Sequence, residues 1–101
     1  ILVVFIFPFL VTFILSFSLL LCLNDPTILN NGITYRLYPS VAETFNTTPT
    51  KVERNIRHEI LTIFRDKRKG ALLVELFPCY SDTGRATNLE FLTTLVDYLR
   101  E

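Results

Sequence analysis

Residues 37–70, LYPSVAETFNTTPTKVERNIRHEILTIFRDKRKG, contain the clearest structural pattern in the chain. Its first part predicts a short helix that begins near Pro39, because proline is favoured in the first helical turn. That helix is expected to end near Phe45. The following residues predict a tight turn, in which Thr48 caps a new helix and Pro49 occupies its first turn without losing a needed donor.

The second helix of this stretch is long and is expected to cover about residues 49 to 69. It approaches its end with the cations Lys67, Arg68 and Lys69 and then meets Gly70. Positive charge is favoured in the last turn of a helix, and glycine just beyond it. A short helix, a turn and a long helix of this size are typical of a helix-turn-helix unit that binds DNA.

The two faces of the long helix differ in chemistry. At 100° per residue its aliphatic side chains fall within an arc of about 80°, which Phe64 widens into a stripe that faces a core. The stripe consists of Val52, Ile56, Ile60, Ile63 and Phe64. Most of the basic side chains lie roughly opposite and within the first three turns, the part that a recognition helix inserts into the major groove.

These residues are the candidate DNA-binding site. An arginine can fork onto a guanine edge or a phosphate, whereas lysine and histidine suit a phosphate or a single base acceptor. A glutamate at the edge of the face can accept from a cytosine amino group. The alternative is an ordinary solvated helix face, which the preceding turn and the charge concentration disfavour. The candidates are Lys51, Glu53, Arg54, Arg57, His58, Arg65 and Arg68.

The charge distribution favours a polyanionic partner. The formal net charge is zero, but residues 51–70 carry seven cations and three anions, and the rest of the chain carries the opposite excess. A basic stretch on an otherwise acidic body indicates a module that meets a polyanion such as double-stranded DNA with one face.

The remaining body predicts further helices and no strand. Residues 71–77 predict a brief apolar helix, and 78–85 a loop. Thr87 and Glu90 predict a capping box at the start of a final amphipathic helix. That helix is expected to cover the helix-turn-helix as part of the core, with a partner surface as the alternative. The fold class is therefore all-α, with about five helices.

Residues 1–23 form an apolar leader with no charged residue, ahead of a body that spans residues 24–101. As a helix the leader would extend about 35 Å, enough to cross a bilayer core of about 30 Å. Its sequence leaves three interpretations open: a transmembrane helix that leaves the body in the cytoplasm, a buried or damaged helix of the domain, and an artefact of translation or gene assignment.

Catalysis and cofactor binding have no visible apparatus. The chain has no glycine-rich phosphate loop and no nucleophile paired with a base, so we expect no enzyme, no catalytic residue and no cofactor. The single histidine, His58, and the two cysteines, Cys22 and Cys79, lack the spacing of a zinc site, so no metal is expected. Two reduced, unpaired thiols are the expected state of the cysteines.

Two motifs carry a family resemblance. The segments LYPSVAETFNTTPTKVERNIRHEI (37–60) and ATNLEFLTTLVDYLR (86–100) resemble the C-terminal effector domain of stage zero sporulation protein A, the master response regulator of endospore-forming bacteria. The resemblance extends from about Ile33 to the end of the chain. It implies an all-helical domain that binds a short operator box with a TGTCGAA-like core, often as head-to-tail dimers, and regulates transcription at the onset of sporulation.

The resemblance also implies roles for particular residues. Lys51, Glu53, Arg54, Arg57 and His58 match the family's recognition-helix contacts, with Lys51 standing where arginine is usual. An ammonium cannot reproduce the guanidinium fork. Residues 72–81 match the region that meets the sigma factor of RNA polymerase, although FPCY (77–80) replaces the family's phenylalanine-glycine-tyrosine.

These 101 residues contain no phosphoacceptor receiver domain, so DNA binding is expected to be constitutive. The leading prediction is a cytoplasmic, nucleoid-associated transcription regulator. The alternative is a membrane-anchored or degenerate interaction protein, held through residues 1–23, that binds a protein partner.

Overall fold

A computed structural model describes residues 6–65, 71–77 and 86–100. The regular structure in these ranges is entirely helical, which confirms the all-α prediction. The described ranges contain six α-helices, where about five were expected, and one π-helical turn in addition. They are α1 (Ile6–Asn24), α2 (Ile28–Asn31), the π-helical turn (Ile33–Leu37), α3 (Tyr38–Thr44), α4 (Pro49–Arg65), α5 (Ala71–Leu76) and α6 (Asn88–Arg100).

The predicted helix-turn-helix forms from α3, the turn at residues 45–48 and α4. α3 ends at Thr44 and α4 begins at Pro49, as predicted. The described part of α4 ends at Arg65, so the predicted continuation through Lys69 and the stop at Gly70 lie outside the described residues. The aliphatic stripe of α4 faces the core as predicted, because Val52, Ile56 and Ile60 are fully buried.

The π-helical turn is an element that the sequence analysis did not predict. Its backbone carries the five-residue bond that defines it, from the Leu37 amide to the Gly32 carbonyl at 2.9 Å, and it leads directly into α3. The wide turn leaves Leu37 and Tyr38 buried side by side. Pro39 is therefore the second residue of α3 and does not start a separate helix after a loop.

Helix α1 packs against α4 and α6, and it contributes to the core. Ile14, Ser18 and Cys22 are buried along one of its sides, and the Ser18 hydroxyl donates to the Ile14 carbonyl at 2.8 Å. Phe17 meets Phe45 edge to face, with ring centroids 5.7 Å apart. The structure thus supports the interpretation of a buried helix.

A transmembrane helix in residues 1–23 is not supported. None of the helices in the described ranges combines the length and the apolar content that a membrane crossing requires. The division of the chain after Leu23 into a leader and a body stays a prediction.

Polar contacts join the end of α1 to the π-helical turn and to α6. Arg36 of the π-helical turn forms an ion pair of 2.9 Å with Asp25, just after α1. A hydrogen bond from the Thr27 hydroxyl is the main reason that the pKa of Asp25 lies below its usual value. At the other end, Arg100 of α6 donates to the Leu23 carbonyl at 3.1 Å. Both contacts hold the last turn of α1 against the rest of the fold.

Phe77, directly after α5, belongs to an aromatic cluster. Phe77 is buried, stacks on Phe91 of α6 with centroids 5.5 Å apart, and meets Phe64 of α4 edge to face at 5.4 Å. Such ring pairs add to the free energy of burial. The cluster therefore fixes the C-terminal half of α4 against α6. The predicted brief helix at residues 71–77 is confirmed as α5, whereas the predicted loop at 78–85 lies outside the described ranges.

Candidate nucleic-acid interface

The turn between α3 and α4 determines the direction in which α4 leaves the core. Asn46 adopts a left-handed conformation with φ of 56°, which asparagine tolerates better than most residues. The Thr47 amide then bonds to the Ala42 carbonyl at 2.9 Å, and the Asn46 amide to the Glu43 carbonyl at 3.3 Å. This pair of bonds is a Schellman motif, which ends a helix sharply and satisfies its last carbonyl groups.

The start of α4 is capped as the sequence predicts. The Thr48 hydroxyl accepts a hydrogen bond from the Lys51 amide at 3.2 Å, and the Thr48 carbonyl accepts one from the Val52 amide at 3.0 Å. Pro49 is the first residue of the helix, where an amide proton would have no partner. The cap and the preceding Schellman motif together make the turn rigid, so that the first turn of α4 has one defined position.

The outward face of α4 carries the predicted basic residues. At 100° per residue, the positions of these side chains span an arc of about 120°, and from first to last the face is about 21 Å long. Their side chains are exposed to solvent and α1 does not cover them. The exposed residues are Lys51, Arg54, Arg57, His58 and Arg65. Arg68, the remaining basic candidate, lies outside the described residues.

Three of these residues border the same open depression on the surface of α4. Arg54, Arg57 and His58 line a single open concavity of about 380 Å³, together with Leu61. Leu61 is half-buried and supplies an apolar wall beside the cationic groups. It was not among the predicted site residues, although its position one turn beyond Arg57 and His58 is readable from the helical spacing. Lys51 and Arg65 extend the face beyond the two ends of the concavity.

Glu53 lies at the edge of the face and pairs with a candidate residue. Its Oε1 atom is 3.4 Å from Nη2 of Arg57, one helical turn away, and both side chains remain more than one-third exposed. An exposed pair of this kind contributes less than about 1 kcal/mol to stability. Its main effect is to restrain the Arg57 guanidinium near the first turns of α4. Within the described part of the chain, Arg54 makes no ion pair, and its side chain is exposed.

A buried polar contact from the start of α6 restrains the first turns of α4. The side-chain amide of Asn88, the first residue of α6, donates to the Tyr38 hydroxyl at 2.9 Å and to the Glu53 carbonyl at 3.3 Å. Both Asn88 and Tyr38 are buried, and burial raises the pKa of the Tyr38 hydroxyl above its usual value. The sequence analysis did not single out either residue, because their partners are 35 to 50 positions away in the chain.

The described residues offer little for other chemistry. They contain no group of three or more histidine, cysteine or carboxylate side chains that could hold a metal ion. Cys22 is buried and unpaired, and burial raises the pKa of its thiol to about 11, so that it stays protonated. Cys79 lies outside the described ranges. The described chain does show three features of α4: a capped first turn, a buried aliphatic stripe and an exposed cationic face.

A family model with the description "Sporulation initiation factor Spo0A C terminal" matches residues 12–99. The match includes α4 with its cationic face, and it begins within α1, upstream of the region in which the sequence motifs resemble this family. The family is one of DNA-binding domains and not of enzymes. The chain therefore belongs to the family of the C-terminal domain of the sporulation initiation factor Spo0A, the DNA-binding effector domain of a response regulator that controls transcription in sporulation.

Proposed function

We propose that α4 is the helix that reads the operator, and that it lies in the major groove with its cationic face toward the DNA. The observation that carries this proposal is the cluster of Arg54, Arg57 and His58 around one open concavity, on the side of α4 away from the buried aliphatic stripe. Guanidinium groups that are exposed on one side of a helix can approach base edges without a prior rearrangement of the core.

The proposed roles follow from position on the helix. Arg54 and Arg57 read guanine edges, because each offers two donors in a fixed fork. His58 and Lys51 contact a phosphate or a single base acceptor, and Glu53 accepts from a cytosine amino group beside Arg57. Arg65 lies at the end of the described part of α4, Arg68 follows it in the sequence, and both bind the phosphate backbone. The target is a short box with a TGTCGAA-like core, as the family resemblance implies.

The proposal also includes a dimer, a location in the cell and a contact with the sigma factor. The domain binds adjacent boxes as a head-to-tail dimer and acts at the nucleoid in the cytoplasm. It meets the sigma factor of RNA polymerase through residues 72–81, where Val74 and Glu75 are exposed and Phe77 is buried in the aromatic cluster. A sigma-factor contact would therefore use the exposed side of α5. The packing of α1 against α4 and α6 gives no support to an anchored interaction protein.

The direct test is binding of the full chain to a fluorescent duplex that contains the TGTCGAA box, measured by anisotropy. A scrambled duplex of the same composition is the matched control, and both are titrated at several salt concentrations. We expect tighter binding to the box at every salt concentration. Each phosphate contact should weaken binding about 3.5-fold for a fourfold rise in salt. Equal affinity for both duplexes would refute operator reading, and no binding to either would refute the proposed DNA interface.

A further inference from the structure

Asn88 connects three helices through one buried side chain. It is only 7% exposed, and it is the first residue of α6. Its Nδ2 atom lies 2.9 Å from the hydroxyl oxygen of Tyr38 on α3 and 3.3 Å from the carbonyl oxygen of Glu53 on α4. The amide therefore joins α6 to both helices of the helix-turn-helix unit.

The backbone of Asn88 is itself held in place. The residue before it, Thr87, accepts a hydrogen bond from the Glu90 amide at 3.1 Å, and the Glu90 carboxylate accepts one from the Thr87 amide at 2.9 Å. This is the capping box that the sequence predicts, and it satisfies two free amides at the start of α6. The neighbouring Ala86 is fully buried. Asn88 is thus a fixed point from which its side chain reaches α4.

Stability alone does not account for an amide at this position. The surrounding contacts between α4 and its neighbours are made by apolar side chains such as Val52, Ile56 and Leu92, which are fully buried. The Oδ1 atom of Asn88 is buried and has no hydrogen-bond partner among the described residues. A buried polar atom without a partner lowers stability, and leucine at position 88 with phenylalanine at position 38 would avoid that loss with side chains of similar shape.

An amide does provide direction, which apolar contacts lack. The free energy of apolar burial is roughly proportional to the buried area and has no preferred direction, so it allows a helix small shifts along or about its axis. A hydrogen bond, in contrast, is restricted in distance and angle. Glu53 is the fifth residue of α4, between Lys51 and Arg54. A bond to its carbonyl oxygen therefore restrains the very turn of the helix that carries the candidate base contacts.

We propose that Asn88 is a positioning residue for DNA reading, and this inference rests on the proposed function of α4. Its amide sets the place of the first two turns of α4 relative to α3 and α6, and thereby the place at which Arg54 and Arg57 meet the bases. Base contacts depend on positions held to within about 0.5 Å, whereas attraction to phosphates is long-range and tolerates a small displacement. Loss of the amide should therefore reduce sequence discrimination and leave general DNA affinity nearly unchanged.

The test compares Asn88→Leu and the double variant Tyr38→Phe/Asn88→Leu with the wild-type chain. The double variant also removes the hydroxyl that would lose its partner. Asn30→Leu is the matched control, because Asn30 is exposed on α2. Thermal melting by circular dichroism defines a temperature at which each protein is fully folded, and anisotropy then gives its affinity for the operator box and for the scrambled duplex.

We expect Asn88→Leu and the double variant to lose about tenfold in the ratio of operator to scrambled affinity, the loss of one bidentate base contact. Their affinity for the scrambled duplex should stay within about twofold of wild type, as expected if the phosphate contacts persist. Amide resonances of residues 50–57 should shift in both variants and not in the control. Folded variants that retain the wild-type ratio would overturn the inference and leave the proposed function intact.

A second substitution covers the case in which the leucine variants do not fold. Asn88→Asp keeps the shape of the side chain and can accept from the Tyr38 hydroxyl, but its carboxylate cannot donate to the Glu53 carbonyl. We expect it to lose discrimination as well. Full discrimination by folded Asn88→Asp would overturn the inference. A wild-type chain that shows no preference for the operator would overturn the proposed function itself, and the inference with it.

Discussion

Replacement of Arg54 by alanine is the sharpest test of sequence reading by α4. The Arg54 side chain is exposed, lines the concavity with Arg57 and His58, and makes no ion pair within the described chain. Alanine is a better helix former than arginine, so the helix itself should not weaken, and we expect a change in unfolding free energy of no more than about 0.5 kcal/mol. A change in the free energy of DNA binding that exceeds this value then comes from the lost guanidinium.

The magnitude follows from the geometry of the fork. No intramolecular ion pair has to break before Arg54 binds a guanine, so the full value of a bidentate contact is available, about 1–3 kcal/mol. That range corresponds to a loss of about 5- to 160-fold in the ratio of operator to scrambled affinity. Arg54→Lys retains the charge, and it should keep the wild-type affinity for scrambled DNA while the operator-to-scrambled ratio still falls, because an ammonium lacks the fork.

The assay is competition anisotropy with the operator box and its scrambled counterpart at one fixed salt concentration. Arg100→Ala is the matched control, since Arg100 makes its contact at the Leu23 carbonyl and not on the face of α4. We expect that control to retain the wild-type ratio. An equal loss on both duplexes for Arg54→Ala would identify Arg54 as a phosphate contact and refute base reading at this position.

Three further predictions concern charge, capping and the buried thiol. Arg65→Ala should weaken binding to both duplexes alike and reduce the slope of log affinity against log salt by about 0.9; a changed operator preference would contradict this. Thr48→Ala removes the acceptor for the Lys51 amide and should cost about 1 kcal/mol in urea unfolding, whereas Thr48→Ser should not; equal stability of the three proteins would argue against the cap. In a Cys79→Ser background, the Cys22 contribution to stability should be constant below pH 9 and fall between pH 9 and 11. The unfolded Cys22 thiol ionises near 9.0, while the folded one keeps its proton up to about 11, and Cys22→Ala should remove this part of the decline; an identical alkaline decline in both proteins would contradict it.

The elements that the sequence predicted correctly rest on interactions between near neighbours. Thr48 caps α4 through an amide three residues away, and Thr87 and Glu90 form their box over the same distance. The aliphatic stripe of α4 is equally local, since 3.6 residues per turn place every third or fourth side chain on one side. Such signals survive in a single sequence because both partners lie within one or two helical turns.

Other parts of the site could not be predicted in this way. The contact from Asn88 to Tyr38 and Glu53 joins residues that no local pattern connects. The π-helical turn at residues 33–37 also has no distinct sequence signal, because its wider hydrogen bonding is decided by how Leu37 and Tyr38 enter the core. Leu61 was readable from helical spacing, but a lone aliphatic residue among cations gives no indication of its role until the concavity is seen.

The amino-acid sequence by itself determined that the chain is helical, where the turn before α4 lies, and which side of α4 carries its charge. Only the folded chain shows that α1 is buried in the core. That helix is apolar on all sides, so its sequence has no period that distinguishes a buried side from an exposed one. In the structure it packs against α4 and α6 as part of the core, and the basic side chains of α4 remain exposed. The physical reason is that the charge and capping of a helix are set by its own residues, whereas the burial of a uniformly apolar helix depends on which surfaces the rest of the fold presents to it.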